Sequence, residues 1–312
     1  MKLERLARIC VFALAAFVCF YRLAATPLYE TDEGFTANRA ASFFRHQSWV
    51  FSYDDVGDDE PQFRKPPLLY WGVALLYRVM GRNLWAVRLP TAICAFLSLV
   101  LLYRIVRRYF DEWCALAASL LMCAVPFVVF HIRTAMLEMP LIFFFLAGTY
   151  AFLFLPDRWP RVVLAGLACG GALLLKGPGG LAALGLPILF GLVHRRFRPR
   201  ALLQALGIVL VAAIPVLLYF AAVPDEYRPR FIHAFTVKDA AERVRLLDRW
   251  FTRARVWYLP LFRSLRWLLP SSGLGLVLAL CSGPGMPGDE GGHEGPLRGP
   301  RAAGCVLRRR LF

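Results

Sequence analysis

Acidic and basic residues stand in a few short stretches of an otherwise apolar chain. Asp32 and Glu33 follow directly on a hydrophobic run, in YETDEGFTANRA. A carboxylate there can take the proton of an acceptor hydroxyl or amine, or hold a divalent cation. The same residues also suit the N-cap of a helix running through Phe35 and Ala40. Glu138, in RTAMLEMPL, falls at the mouth of a span, with Arg133 just before it. Carboxylates near membrane depth are costly unless paired or lining a polar cavity, although a capping Glu can also reach water. Lys65 precedes Pro66 and Pro67 in FRKPPLLYWGV, where an ammonium suits either a lipid phosphate or an interfacial anchor. Lys176 opens KGPGG, whose glycines can expose backbone N–H groups to a phosphate or simply make a tight turn. The order of residues is not that of a P-loop. The run DDVGDDE reads as a solvated turn.

The elements that must position these groups are membrane spans. Of 312 residues, 58% are hydrophobic, and the mean hydropathy is +0.53. That is more apolar material than one soluble core uses. Apolar runs recur near 9–28, 89–106, 114–131, 139–155, 162–175, 179–193, 201–223 and 265–281. The expected fold class is therefore all-α, a polytopic membrane helical bundle of about 8 transmembrane helices with juxtamembrane helices on the outer face. The basic, apolar start reads as a retained first helix, although a cleaved signal peptide shares its pattern.

Whether Pro66–Met80 crosses decides the orientation of everything downstream. If it lies in the interface, the clusters Arg104–Arg108 and HRRFRPR fall on the same side as Lys2, Arg5 and Arg8. The positive-inside rule favours that arrangement, with a cytoplasmic N-terminus. The run is also short, and Arg78 and Arg82 follow at once. The loop Tyr29–Lys65, the HIRTAMLEMP segment and the KGPGG turn then share the outer side, as a site for a lipid-borne substrate requires.

The net charge of +16 sits mainly in short clusters between apolar runs, which excludes a nucleic-acid-binding face as the reading. The eight cysteines are scattered without metal-ligand spacing. The outer segment Pro224–Arg263 interleaves nine Lys/Arg with Trp250, Trp257 and Tyr258, a surface that seeks anions or forms an aromatic belt. Residues 1–282 read as one transmembrane domain, with outer loops at about 29–88 and 224–264. Residues 283–312 form a Gly/Pro/Arg-rich tail that cannot bury a core, as a frameshift or truncation would leave.

Taken in order, the acidic pair, KPPLLYW, GRNLWAVRLPTAICAF, RTAMLEMPL and LLLKGPGG resemble the GT-C class of polyprenyl-phosphate-sugar-dependent glycosyltransferases. The chain is similar to the protein O-mannosyltransferase family and, more closely, to its bacterial relatives that transfer aminoarabinose to lipid A. The resemblance covers roughly residues 1–270. It implies an inner-membrane glycosyltransferase active on the periplasmic face, moving a sugar from a polyprenyl-phosphate donor to a lipid or protein acceptor by inversion. It implies Asp32 as catalytic base, with Glu33 and Glu138 beside it, and Lys65, Lys176 and Arg133 around the donor phosphate. Glu138 stands where relatives usually have Asp, and the common DE-x-R pattern is broken by Phe35 and Thr36. A divalent metal at Asp32 and Glu138 is compatible with the resemblance but not required by it. Two alternatives stay open: a transporter or lipid flippase, and an inactive truncated member of the family. A transporter would put its polar residues at mid-span and often repeat its halves.

Overall fold

The computed structural model describes residues 2–29, 32–54, 61–62, 65–156, 159–185 and 199–233, all within one compact unit, Met1–Ala240. The expected span 265–281, the tail, most of the basic loop beyond His233, and Glu30, Asp55, Asp58, Asp59, Glu60 and Arg64 lie outside the described residues. Among the described residues the fold is helical except for one short antiparallel pair, β1 (Ser52–Tyr53) and β2 (Pro61–Gln62).

Helix α1 (Lys2–Phe20) carries Lys2, Glu4, Arg5 and Arg8 at its start and is apolar thereafter. Helix α2 (Asp32–Arg45) follows, then α3 (Leu68–Met80), which begins after Pro67 and stops at Gly81. Thirteen residues make α3 about 20 Å long, short of the roughly 30 Å hydrocarbon core. Helix α4 (Leu84–Tyr109) opens on the Asn83 side chain, which accepts from the Ala86 N–H, and is long and apolar enough to cross a membrane.

The expected span 114–131 is not straight. Helices α5 (Glu112–Ala124) and α6 (Pro126–Arg133) meet at a bend of 71°. Pro126 takes the first position of α6, where its missing N–H costs nothing, but it cannot continue the hydrogen-bond ladder of α5. Helix α7 (Glu138–Phe154) comes next, then α8 (Trp159–Lys176), a 3-10 turn at Gly177–Leu181, α9 (Pro199–Ala222) and the short α10 (Arg228–Ile232).

The apolar run Trp159–Gly185 is long enough to cross in one pass, yet the chain reverses within it. The Cys169 thiol lies 3.4 Å from the Ala183 carbonyl oxygen. Fourteen residues of straight helix would separate them by about 21 Å. The reversal falls at KGPGG, where Gly177 has φ +55°. Gly180 packs so tightly that a Cβ would stand 2.3 Å from the Ala172 carbonyl oxygen. The sequence expectation of two apolar runs joined by this turn therefore matches the backbone through Gly185; residues 186–193 of the second run lie outside the described residues.

One apolar cluster ties the site together. Ala37, Ala40 and Phe43 of α2 pack with Leu69, Tyr70 and Val73 of α3, Ala86 and Val87 of α4, and with Ala135, Leu137 and Leu175. The last two adjoin Glu138 and Lys176 in sequence, so the core fixes both of those side chains relative to α2 and α3.

Candidate active site

Local structure explains where each carboxylate goes. Asp32 and Glu33 open α2, the end where acidic side chains are favoured by the exposed N–H groups. Successive positions on a helix point about 100° apart, so the two cannot share an environment. Asp32 keeps 62% of its side chain exposed and stands 3.7 Å from the Lys65 ammonium. Glu33 is fully buried.

Glu33 is saturated with donors. Its Oε1 accepts from Arg88 Nε at 2.7 Å and from the Ala135 N–H at 3.0 Å. Its Oε2 accepts from Arg88 Nη2 at 2.8 Å and from the Tyr29 N–H at 2.9 Å. Burial pushes this carboxyl up, but Arg88 and the two backbone N–H groups outweigh it and hold it below the usual carboxylate range. Arg88 spends its remaining donors on the carbonyls of Leu23, Thr26 and Pro27 and on the Thr26 hydroxyl. A single ion pair thereby joins the α1–α2 connection, α2, α4 and the segment before α7.

Glu138 and Lys176 meet at 3.1 Å, one at the start of α7 and the other at the end of α8. Both are part-exposed, at 39% and 30% of their side chains. This pair is tethered to the first: Ala135, bonded to Glu33, lies only three residues before Glu138, at most about 11 Å of chain. Arg133 is placed differently from its neighbours. Its Nη1 donates to the Val18 carbonyl and its Nη2 to the Arg22 carbonyl, closing the C-terminal end of α1.

Beside Asp32 lies a network that sequence reasoning missed. Arg39 grips Asp54 with two hydrogen bonds, Nε–Oδ1 at 2.6 Å and Nη2–Oδ2 at 2.9 Å, and donates to the Tyr70 hydroxyl at 2.9 Å. Burial pushes the Tyr70 hydroxyl up, against the pull of Arg39. The pair ties the β1 segment to α2, while the Trp71 indole donates to the Trp49 carbonyl and the Tyr219 hydroxyl to the Val50 carbonyl. Arg88 was also missed as an individual residue, although it lies within the GRNLWAVRLP stretch. An arginine beside an apolar span was the available signal, since such a charge persists only when paired.

Among the described residues no group of three or more His, Cys, Asp or Glu side chains gathers where a metal could sit. Asp32 and Glu138 each face an ammonium instead. Among the described residues the arrangement is thus two lysines, each beside a carboxylate.

Comparison with solved structures gives a match to ArnT from Cupriavidus metallidurans bound to undecaprenyl phosphate, with a TM-score of 0.62 and 25% identity. The match covers 74% of this chain and 43% of that one. The apo structure of the same protein matches with a TM-score of 0.60. The architecture is that of a multi-pass inner-membrane protein of the GT-C glycosyltransferase class. The chain belongs to the dolichyl-phosphate-mannose-protein mannosyltransferase family, whose model it matches over residues 64–219, half of its length. An undecaprenyl phosphate-alpha-4-amino-4-deoxy-L-arabinose arabinosyl transferase of Pseudomonas aeruginosa is 31% identical over 67% of this chain and 40% of its own. A homologue with the same activity in its name, from Pseudomonas fluorescens, is 32% identical over 66% of this chain and 39% of its own. The chain thus spans about two-fifths of the length of these curated relatives.

Proposed function

We propose that this protein transfers a sugar from a polyprenyl-phosphate donor to a lipid or protein acceptor, with inversion at the anomeric carbon. The observation that carries the reading is the exposed Asp32–Lys65 pair, tethered to the chain that bears the Glu138–Lys176 pair through buried Glu33, which bonds Arg88 and the Ala135 N–H. Asp32 is the general base. It takes the proton of the acceptor hydroxyl or amine as that atom attacks the anomeric carbon. The bond from that carbon to the phosphate oxygen breaks, and the electron pair leaves with the polyprenyl phosphate. Lys65 and Lys176 face the charge that gathers on the departing phosphate, the electrostatic share of catalysis. Glu138 orients Lys176. The structure puts Arg133 and Glu33 on backbone groups and on Arg88, which supports positioning roles for both rather than contact with substrate.

Relatives named for undecaprenyl phosphate-linked aminoarabinose and a neighbour solved with undecaprenyl phosphate support that lipid as the carrier and a 4-amino-4-deoxy-L-arabinose unit, delivered to lipid A, as the first sugar and acceptor to test. We place the N-terminus in the cytoplasm and the site on the periplasmic face, from the Arg and Lys clusters at the opposite ends of α1 and α4. The decisive experiment offers purified protein a panel of radiolabelled polyprenyl-phosphate sugars and acceptors, with Asp32→Asn as control. Transfer by wild type alone supports the reading; equal transfer by both removes Asp32 as base. Orientation is read separately. A cysteine introduced at exposed Arg45, with native cysteines replaced, should react with an impermeant maleimide added outside intact spheroplasts.

A further inference from the structure

At the other end of the bundle a cavity of about 670 Å³ opens between α1, α4 and α7. Nineteen positions of α4 separate Arg88 from Arg107, which is about 28 Å of helix rise. The cavity is therefore remote from the acid–lysine pairs, and nothing in the proposed transfer uses it. Four guanidinium groups line it, those of Arg8, Arg104, Arg107 and Arg108.

One carboxylate, Glu112, bridges two of them. Glu112 Oε1 accepts from Arg8 Nε at 2.8 Å and from the Tyr103 hydroxyl at 2.8 Å. Its Oε2 stands 2.8 Å from Arg107 Nε, an ion contact without hydrogen-bond alignment. Among the described residues no carboxylate pairs with Arg104 or Arg108. Arg104 turns instead to Tyr150, with Nη1 3.3 Å from the hydroxyl and the guanidinium carbon 6.0 Å from the ring centre. Phe12, Val100 and Phe154 supply apolar wall. The cavity has the size of a ligand site, a surplus of positive charge, and walls that suit hydrocarbon.

We propose that this cavity binds the phosphate headgroup of an anionic phospholipid from the surrounding bilayer. Guanidinium forks match phosphate oxygens in pairs, and basic pockets between spans take anionic headgroups. Arg104 and Arg108 are the phosphate donors, because Arg8 and Arg107 are already committed to Glu112. Phe12 and Phe154 lie against the first carbons of the acyl chains. A free anion would use the arginines but gain nothing from the aromatic wall, and that difference identifies the lipid as the occupant.

The test is thermal unfolding of the purified full chain in a neutral detergent, titrated with dioctanoyl phosphatidylglycerol, dioctanoyl phosphatidylcholine or sodium phosphate. Phosphatidylglycerol should raise Tm saturably, and the other two should require at least tenfold higher concentration for the same shift. The double variant Arg104→Gln, Arg108→Gln should weaken the phosphatidylglycerol response roughly tenfold or more. Equal shifts from both lipids would refute a headgroup site. Phosphate as potent as phosphatidylglycerol would make the occupant a free anion and overturn the lipid assignment. An undiminished response in the double variant would remove the two arginines from it. Should the double variant fail to fold, Arg108→Gln alone, at an exposed position, carries the same comparison, and the wild-type headgroup series needs no variant.

Discussion

Glu33 and Arg88 form a buried, two-pronged ion pair, and the residue next to Glu33 in the chain is the exposed Asp32. One position is anchored so that its neighbour can be presented. The bridge also fixes the backbone ahead of Glu138, through the Ala135 N–H. On the proposed mechanism stability and chemistry are divided between adjacent acids, and they should separate on mutation.

Glu33→Gln should be strongly destabilising. It leaves the Arg88 charge buried with only neutral acceptors, a change that costs about 3–5 kcal/mol when one partner of a buried pair is removed. The carboxyl titrates lower in the folded protein than in the unfolded chain, so the unfolded state binds its proton first. Its contribution is therefore fully present above about pH 4.3, the ordinary glutamate value, and is lost as pH falls through the depressed folded value. Tm in detergent, measured from pH 7 to pH 3.5, should fall for wild type in that acid window. Glu33→Gln should start lower and lack this part of the slope; a parallel slope would refute the assignment.

Asp32→Asn should do the reverse. The side chain is mostly exposed and its contact with Lys65 is long, so folding stability should change by no more than about 0.5 kcal/mol. Transfer should drop by roughly 10²–10⁴-fold, the usual contribution of a general base. Tm and single-turnover rate on one preparation read both effects. A variant that transfers normally, or that loses rate only because it has unfolded, would remove the base role.

Much of this division could be read from the sequence, and some could not. The two lysines, Asp32 and Glu138 stand out because each is a charge beside an apolar run, where it needs a reason to be. The KGPGG turn was also legible, since a lysine followed by three glycines and a proline offers little else. Arg88 and the Arg39–Asp54–Tyr70 network were not, because their partners lie 55, 15 and 31 positions away and no local pattern records such pairings. The bend between α5 and α6 was missed for a different reason. Hydropathy runs unbroken through Val125 and Pro126, and the proline acts on backbone hydrogen bonds that hydropathy does not see.

Lys65→Ala and Lys176→Ala should both slow transfer, by roughly 10²–10³-fold if each faces the leaving phosphate. They should differ otherwise. The Lys65 pair is loose and exposed, so its loss should leave Tm unchanged and lower the salt sensitivity of donor KM. Lys176 closes α8 and bonds Glu138 at 3.1 Å, so its loss should also lower Tm, and Lys176→Arg should recover part of both. Donor-dependence curves at two salt concentrations, with Tm alongside, distinguish the pair. Identical profiles for the two alanine variants would mean that the lysines do not hold separate positions around the donor.

Gly180→Ala tests whether the turn itself holds Lys176 in place. A Cβ at Gly180 would stand 2.3 Å from the Ala172 carbonyl oxygen, 2.5 Å from its carbonyl carbon and 2.7 Å from the Leu173 nitrogen. These are backbone atoms of α8 and have no rotamer to escape into, so either the helix end or the turn must shift. Overpacking of this kind costs about 1–3 kcal/mol or more. If Lys176 faces the departing phosphate as proposed, a displacement of even 1 Å would be felt in catalysis, where reacting groups tolerate little misplacement. Gly185 lies five residues on in the same sequence, and among the described residues a Cβ there would meet nothing within 4 Å. Gly185→Ala should therefore be neutral or slightly stabilising, since alanine is the better helix former. Tm and transfer rate for the two variants make the comparison. Equal behaviour would mean that the close approach at Gly180 does not govern the turn.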